Sequence, residues 1–355
     1  MDVRSPAEYA QAHIPGAFSV PFFSDEERTK VGTAYKQKNR ETAIKLGLDF
    51  FGPKMRTIVE AAEKITSEPA TPGFDKLNLT NPQPATRNPS PATVLVHCWR
   101  GGMRSAGIAW LLDLYGFNVI TLSGGYKSYR NWVLQQLAKD YPILIVGGYT
   151  GSGKTLLLYK LKENADKVID LEALAKHKGS ALGGIGQDAQ PRQEMFENLL
   201  ADALSGAATS PVIYTEDESQ RIGNLQIPMS LWNTMRRSPV CFLDIPFEER
   251  LNYLTGEYSV HPKEKLVNAV IRIQKRLGGL ETKNAIGYLL EDNHKECFRI
   301  LLKYYDKYYL KGLYNREHAD TLIRKIEAPQ VNTENNFELL KKEAEMVFTE
   351  QTWKK

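Results

Sequence analysis

The stretch Ile143-Leu-Ile-Val146, followed at once by Gly148-Tyr-Thr-Gly-Ser-Gly153-Lys154-Thr155, constrains this chain more than any other. An apolar run ending in G-x-x-x-x-G-K-[ST] calls for a buried strand, a glycine-rich loop and a helix. The glycines let backbone N–H groups turn inward around a phosphate, and the helix N-terminus adds partial positive charge. Gly148, Gly151, Ser152, Gly153, Lys154 and Thr155 are therefore the phosphate-binding candidates, with Lys154 reaching the terminal phosphate and Thr155 holding Mg²⁺. Such a loop recognises a di- or triphosphate, not a base, so nothing in it requires ATP. Strand-like segments at 167–170, 211–214 and 239–243, separated by helical stretches, predict a parallel-sheet α/β domain. Asp217 is paired with Thr155 as the expected Mg²⁺ site. Glu216, Glu218 and Asp244 are alternatives, and some of these carboxylates could instead be structural partners of Arg221.

A second strand-loop-helix unit lies upstream. Thr93-Val-Leu-Val-His97 reads as a buried strand, Cys98 to Arg104 as a loop, and SAGIAWLLDLYG as a helix ended by Gly116. Residues 118–122 give another strand, and Gly124-Gly125 turns into a helix over 126–137. A cysteine placed between a strand and a helix N-terminus sits among inward N–H donors. Those donors, with Arg100 and Arg104, stabilise a thiolate and any anion lying over it. Such a thiolate attacks phosphorus, sulfur or selenium centres. Cys241 in an apolar strand and Cys297 in a helix read as core filler. Three scattered cysteines argue against a disulfide framework and for a reducing, cytoplasmic setting.

With 355 residues the chain is too long for one ordinary core. We expect a domain over 1–138, the P-loop domain over 141–250 and a helical extension over 251–355. A proline-rich insert at 67–91 reads as a surface excursion, not a core element. No apolar run suits a bilayer and the N-terminus does not read as a signal peptide. The net charge of +4 diagnoses no partner, but its distribution does more: residues 261–326 carry 14 Lys/Arg against 8 Asp/Glu. Arg272, Lys275, Arg276, Tyr304 and Tyr308 combine phosphate attraction with flat rings for stacking, which suits RNA. The plainer alternative is a solvated helical face with tyrosines packed beneath it.

Two chemistries share the cysteine loop. Read literally, His97-Cys98-x5-Arg104-Ser105 is the signature of cysteine phosphatases, which here would carry a regulatory P-loop domain. The opening DVRSPAEYAQAHIPGA instead resembles rhodaneses, whose loop is one residue shorter and carries a persulfide. A longer loop suits a larger tetrahedral anion, such as phosphate or selenophosphate. A third reading keeps the P-loop as a binding module and the first domain as a docking surface only.

The order of the two halves, with DVRSPAEY, DEERTKVGTAYKQ, HCWRGGMRS, SGGYKSYR, GGYTGSGKT, DLEALAKHKGSALG and EDESQRIG, resembles the tRNA 2-selenouridine synthase family over most of the chain. That resemblance implies a rhodanese-like α/β domain joined to a P-loop domain. It implies a transferase acting on wobble 2-thiouridine of tRNA: geranyl diphosphate alkylates the thiocarbonyl sulfur, and selenophosphate then supplies selenium. On this reading Cys98 matches the catalytic cysteine that carries a selanyl group, Arg100 and Arg104 hold selenophosphate, and the P-loop grips the diphosphate of the geranyl donor. An apolar cleft for the geranyl tail is expected near the P-loop, and a selenophosphate-supplying enzyme is an expected partner. Rhodaneses normally place a strand before D-V-R, whereas this chain starts at Met1-Asp2, so either the start is truncated or the first strand is missing and its neighbour is an edge.

Overall fold

Two serines set the first helices. Ser5 and Ser24 each precede a helix and each donates its N–H to the carboxylate three residues on, Glu8 at 3.0 Å and Glu27 at 2.8 Å. These contacts satisfy N–H groups that a helix start leaves open. They begin the helices Pro6–Gln11 and Asp25–Gln37, and Arg40–Phe51 and Met55–Ser67 follow. The computed structural model describes residues 1–67, 91–180 and 183–349. Nearly all of the proline-rich insert expected at 67–91 lies outside the described residues.

The chain divides into two units, Met1–Gln135 and a second from Gln136 onward. The division falls inside the helix Gly125–Leu137, a few residues before the seam read from the sequence.

In the first unit, β1 (Thr93–Val96) pairs in parallel with β2 (Asn118–Thr121), in the register Thr93↔Asn118. Residues 1–3 lie beside the end of β1, with Val3 N–H donating to His97 O at 2.9 Å and Asp2 bridging both Ser19 and His97. The core gathers Val3, Phe22, Phe23, Phe51, Ile58, Val96, Ile108 and Leu112. Phe22 and Phe51 stack with ring centroids 4.4 Å apart. The helix Met103–Tyr115 ends on Gly116, whose φ of 114° is open to glycine and costly for other residues.

In the second unit, β3 (Ile143–Gly148), β4 (Val168–Ile169), β5 (Ile213–Glu216), β8 (Val240–Asp244) and β9 (Ile323–Glu327) form an all-parallel sheet of order β4-β5-β3-β8-β9. A small hairpin of β6 (Arg221–Ile222) and β7 (Leu225–Gln226) stands apart. The P-loop strand β3 is central, flanked by β5 and β8, so its C-terminal end opens at the crevice where ligands bind in such sheets. Every residue of β3 is buried, as a parallel strand covered on both faces requires.

The stretch beyond 250 is not purely helical. β9 completes the sheet beside β8, and the helix Thr333–Thr349 packs Phe337, Leu340, Ala344 and Val347 against the same core as Leu144 and Leu243. Four helices between these, Phe247–Tyr258, Lys263–Leu277, Gly279–Leu290 and His294–Leu313, build a separate core around Leu254, Leu266, Leu289, Phe298 and Leu302.

Candidate functional site

The cysteine loop is built by backbone packing against its neighbour. Tyr126 N–H donates to Cys98 O at 2.8 Å and Lys127 N–H to Trp99 O at 3.0 Å, so the start of the 125–137 helix closes the loop. A Cβ on Gly125 would stand 2.4 Å from Cys98 O and 2.5 Å from Gly101 N, and its φ is +60°. Only glycine fits that approach. Asp2 and Arg4 lie beneath, fully buried and paired at 2.6 Å, with the Arg4 guanidinium 3.7 Å from the Tyr126 ring and donating to Ala12 O. The D-V-R motif is thus a buried anchor for the loop, not part of its chemistry.

Cys98 itself is 3% exposed. Gly102 N–H donates to its Sγ at 3.3 Å, and the Ser105 hydroxyl lies at the same distance. Burial pushes the thiol up, but the Ser105 hydroxyl and the N–H groups of Ser105, Gly102 and Arg100 outweigh it and leave the thiol below its ordinary range. Cys241 and Cys297 show the opposite: burial without donors pushes each up to about 12. His97, next in sequence, is pushed down to about 4 by burial and is neutral.

Arg104 is held by Glu8 at 2.9 Å, and Glu8 also pairs with Arg28 at 2.9 Å. Burial works against the Glu8 charge, yet Arg104, Ser5 N–H and Arg28 hold it at about 2, so it stays ionised. The short first helix thereby fixes where Arg104 points, a role that its sequence alone did not reveal. Cys98, Arg100, Arg104 and Arg28 all border one cavity of about 1030 Å³, and none of its lining residues among those described is a carboxylate. The loop therefore offers a thiol held below its ordinary range and cations, with no carboxylate among the described lining residues to protonate a leaving group.

The P-loop follows the expected geometry. Gly148, Gly151 and Gly153 take φ values of 152°, 80° and 75°, and a Cβ on each would meet Ser152 Oγ at 2.6 Å, Arg250 O at 2.9 Å and Val331 Cγ1 at 2.8 Å. Lys154 folds back onto the loop carbonyls of Gly148 at 2.8 Å and Tyr149 at 3.2 Å. The Ser152 hydroxyl is buried and has no protein partner, as an oxygen awaiting a phosphate would be.

Asp217 does not stand where a Mg²⁺ ligand was expected. One of its oxygens is bound by Arg316 and the other accepts from Tyr309 Oη at 2.8 Å; Tyr309 Oη in turn accepts from Gly148 N–H at 3.1 Å. Glu172 takes that place: its Oε2 lies 3.4 Å from the Thr155 hydroxyl, and its N–H donates to Glu216 Oε1 at 2.8 Å. Burial, with neighbouring carboxylates, pushes Glu172, Glu216 and Glu218 above the carboxylate range, and the second Glu216 oxygen has no partner. Thr155 with Glu172 is the donor set that fits Mg²⁺, an ion that takes one or two carboxylates and completes its shell with phosphate oxygens and water. Among the described residues no group of three or more His, Cys, Asp or Glu forms a metal cage. Arg221 donates to Gly223 O within its hairpin and is exposed.

The loop's supports come from far along the chain. Arg250 is buried and grips Asp306 through both nitrogens, at 2.9 and 2.8 Å, while reaching Thr150 O at 3.1 Å. Asp306 and Tyr309 both lie on the helix His294–Leu313. On another face of this helix Tyr304 and Tyr308 have centroids 4.8 Å apart, and Arg276 bonds Tyr304. Arg272, Lys275 and Arg276 are exposed on the neighbouring helix. Arg276 and the tyrosines are thus brought together.

Sequence comparison matches residues 1–131 to the rhodanese-like domain and residues 141–333 to the tRNA 2-selenouridine synthase AAA domain. A tRNA 2-selenouridine synthase of Hydrogenovibrio crunogenus is 32% identical over 342 residues, covering 87% of each chain. That of Pseudomonas putida KT2440 is 32% identical over 345 residues, covering 91% of this chain and 86% of its own. That of Bdellovibrio bacteriovorus is 31% identical over 373 residues, covering 91% of both.

Proposed function

The chain belongs to the tRNA 2-selenouridine synthase family, and from that premise we propose that it replaces the sulfur of wobble 2-thiouridine in tRNA by selenium. The observation that carries this reading is the pairing, in one chain, of a donor-lined thiol at Cys98 with an intact P-loop at 148–155. In a first step the thiocarbonyl sulfur attacks C1 of geranyl diphosphate; a C–S bond forms, the C–O bond breaks and diphosphate leaves. Lys154 and the inward N–H groups take the diphosphate charge. Mg²⁺ held by Thr155 and Glu172 would supply further neutralisation of that leaving group. Alkylation turns the sulfur into a better leaving group, because it departs from C2 as a thiolate. Selenophosphate then attacks C2 through its selenium; the C2–S bond breaks, the geranyl thiolate leaves, and water cleaves the P–Se bond to release phosphate. Arg100 and Arg104 hold the anionic oxygens and the Cys98 loop positions the selenium. Arg276, Tyr304 and Tyr308 form an RNA-facing surface in this scheme. Supply of selenophosphate by a partner enzyme, and a cytoplasmic location, belong to the same proposal. Among the described residues no helix is long and apolar enough to cross a membrane. A phosphatase gains no support, since no described residue lining the cavity over Cys98 is a carboxylate that could act as its acid.

The test incubates the full chain with 2-thiouridine tRNA, geranyl diphosphate and selenophosphate, then identifies the nucleosides by mass spectrometry. Lys154→Ala should block geranylation. Cys98→Ser should stop selenium incorporation and let the geranylated nucleoside accumulate. If wild type forms neither product the proposal fails, and if both variants lose the same step the assignment of steps to residues fails.

A further inference from the structure

Apolar side chains are normally turned inward, and exposed ones are scattered. In the first unit they are not scattered at Cys98. Tyr35, Leu48, Trp99, Met103 and Trp110 are all substantially exposed, between 38% and 59%, and all five line a cavity that reaches Cys98. Its floor is Phe22, Phe23 and Phe51, which also belong to the core of the unit, so the cavity is fixed by the fold. Arg28, Lys36, Arg100 and Arg104 are set among these apolar walls. A loop that handled only a small oxyanion would need the cations and the thiol, but no wall of rings and aliphatic chains. The combination fits an amphiphile: an apolar chain joined, close to the thiol, to an anionic head.

We infer that this cavity beside Cys98 seats the geranyl chain of the S-geranylated uridine while selenium replaces sulfur. The inference rests on the proposed function and places the chain beside the cysteine loop, whereas the sequence led us to expect an apolar cleft at the P-loop. The exchange breaks the C2–S bond and forms C2–Se; the geranyl thiolate leaves with the bonding pair and takes a proton from water, and hydrolysis of the P–Se bond releases the phosphoryl group as phosphate. With the chain buried, C2 is held over the loop and the leaving thiol departs into an apolar medium. The cations meet the nucleotide phosphates and selenophosphate, so one site sorts both ends of the substrate.

The test uses the full chain and two anticodon stem-loop RNAs that differ only in the group on the wobble sulfur, geranyl or methyl. Binding of each is measured by fluorescence anisotropy. Wild type should prefer the geranyl RNA by roughly a hundredfold, the equivalent of burying about four of its nine extra carbons. Leu48→Glu and Trp110→Glu, at side chains more than half exposed, should cut that preference at least tenfold, with folding checked by thermal melting. Leu114→Glu, exposed on the same helix as Trp110 but outside the cavity, should keep it. A preference that survives both cavity variants, or that Leu114→Glu also abolishes, overturns the assignment of the chain to this cavity. A wild type that binds the two RNAs equally and forms no selenouridine from the geranyl RNA overturns the functional reading and this inference with it.

Discussion

Removing the Ser105 hydroxyl should raise the Cys98 pKa by close to one unit. Its Oγ lies 3.3 Å from Cys98 Sγ and 3.0 Å from Gly102 O, and it carries one proton to share between them. With the thiol neutral, the hydroxyl donates to Gly102 O. With the thiolate formed, it turns to sulfur and gives that bond up. A hydrogen bond to a charged group contributes about 1.5–3 kcal/mol, and the neutral one forfeited about 1 kcal/mol. The difference of about 1 kcal/mol is a little under one pKa unit. The N–H donors of Ser105, Gly102 and Arg100 remain in Ser105→Ala, so the thiol should rise without reaching the range of Cys241 and Cys297. The assay is the pH dependence of iodoacetamide alkylation on the folded chain. Only Cys98 should contribute, because the other two thiols are fully buried and pushed up to about 12. Well below the pKa, alkylation should slow by roughly five- to tenfold. A midpoint that stays put or falls in Ser105→Ala would refute the claim that the hydroxyl stabilises the thiolate.

Two further outcomes concern stability. His97 is about 4 in the folded chain against an ordinary 6.5, so the unfolded state binds more protons between those values and stability falls as pH drops through that window. The full loss is about 3 kcal/mol, and urea titrations from pH 7 to 4 should show a flatter acid limb for His97→Gln. Arg250→Ala strands the Asp306 carboxylate beside the P-loop and should cost about 3 kcal/mol, with weaker geranyl diphosphate binding. The double variant Arg250→Met with Asp306→Leu should recover much of the stability in a double-mutant cycle; strict additivity would show that the two do not act as a pair.

Both loops were legible because their requirements are local. A φ in the left-handed region at Gly151 or Gly153, or a backbone contact at Gly125, is written in consecutive residues. The carboxylates were not legible. Asp217 and Glu172 are both acids near strand ends, and what separates them is Arg316, a residue 99 positions from Asp217 that claims it. Arg250, Asp306 and Tyr309 escaped notice for the same reason, since each acts on the P-loop across long sequence separations. β9 was missed because its sequence, Ile323-Arg-Lys-Ile-Glu327, buries only Ile326; an edge strand laced with charge carries little apolar signal. The cavity beside Cys98 was not legible because exposed apolar residues at helical spacing look like core until the helices are assembled.

The helix His294–Leu313 bears on how the second unit works. Tyr304 and Tyr308, four residues apart, share one face and meet Arg276; Asp306 and Tyr309, three apart, share another and hold the P-loop through Arg250 and Gly148. Between these faces Phe298, Leu301 and Leu302 lock the helix into the bundle core. A rigid helix with one face on the phosphate loop and another carrying the proposed RNA-binding tyrosines cannot shift at either without shifting at both. The basic, tyrosine-rich stretch therefore has two structural duties where its composition suggested one. Its aromatic residues divide between them by helical position: half-buried Tyr309 has its hydroxyl engaged by the loop at Gly148, and Tyr308 remains exposed. Had composition alone governed, all of these tyrosines would read as stacking platforms; the hydrogen bond from Gly148 N–H to Tyr309 Oη takes one of them out of that role.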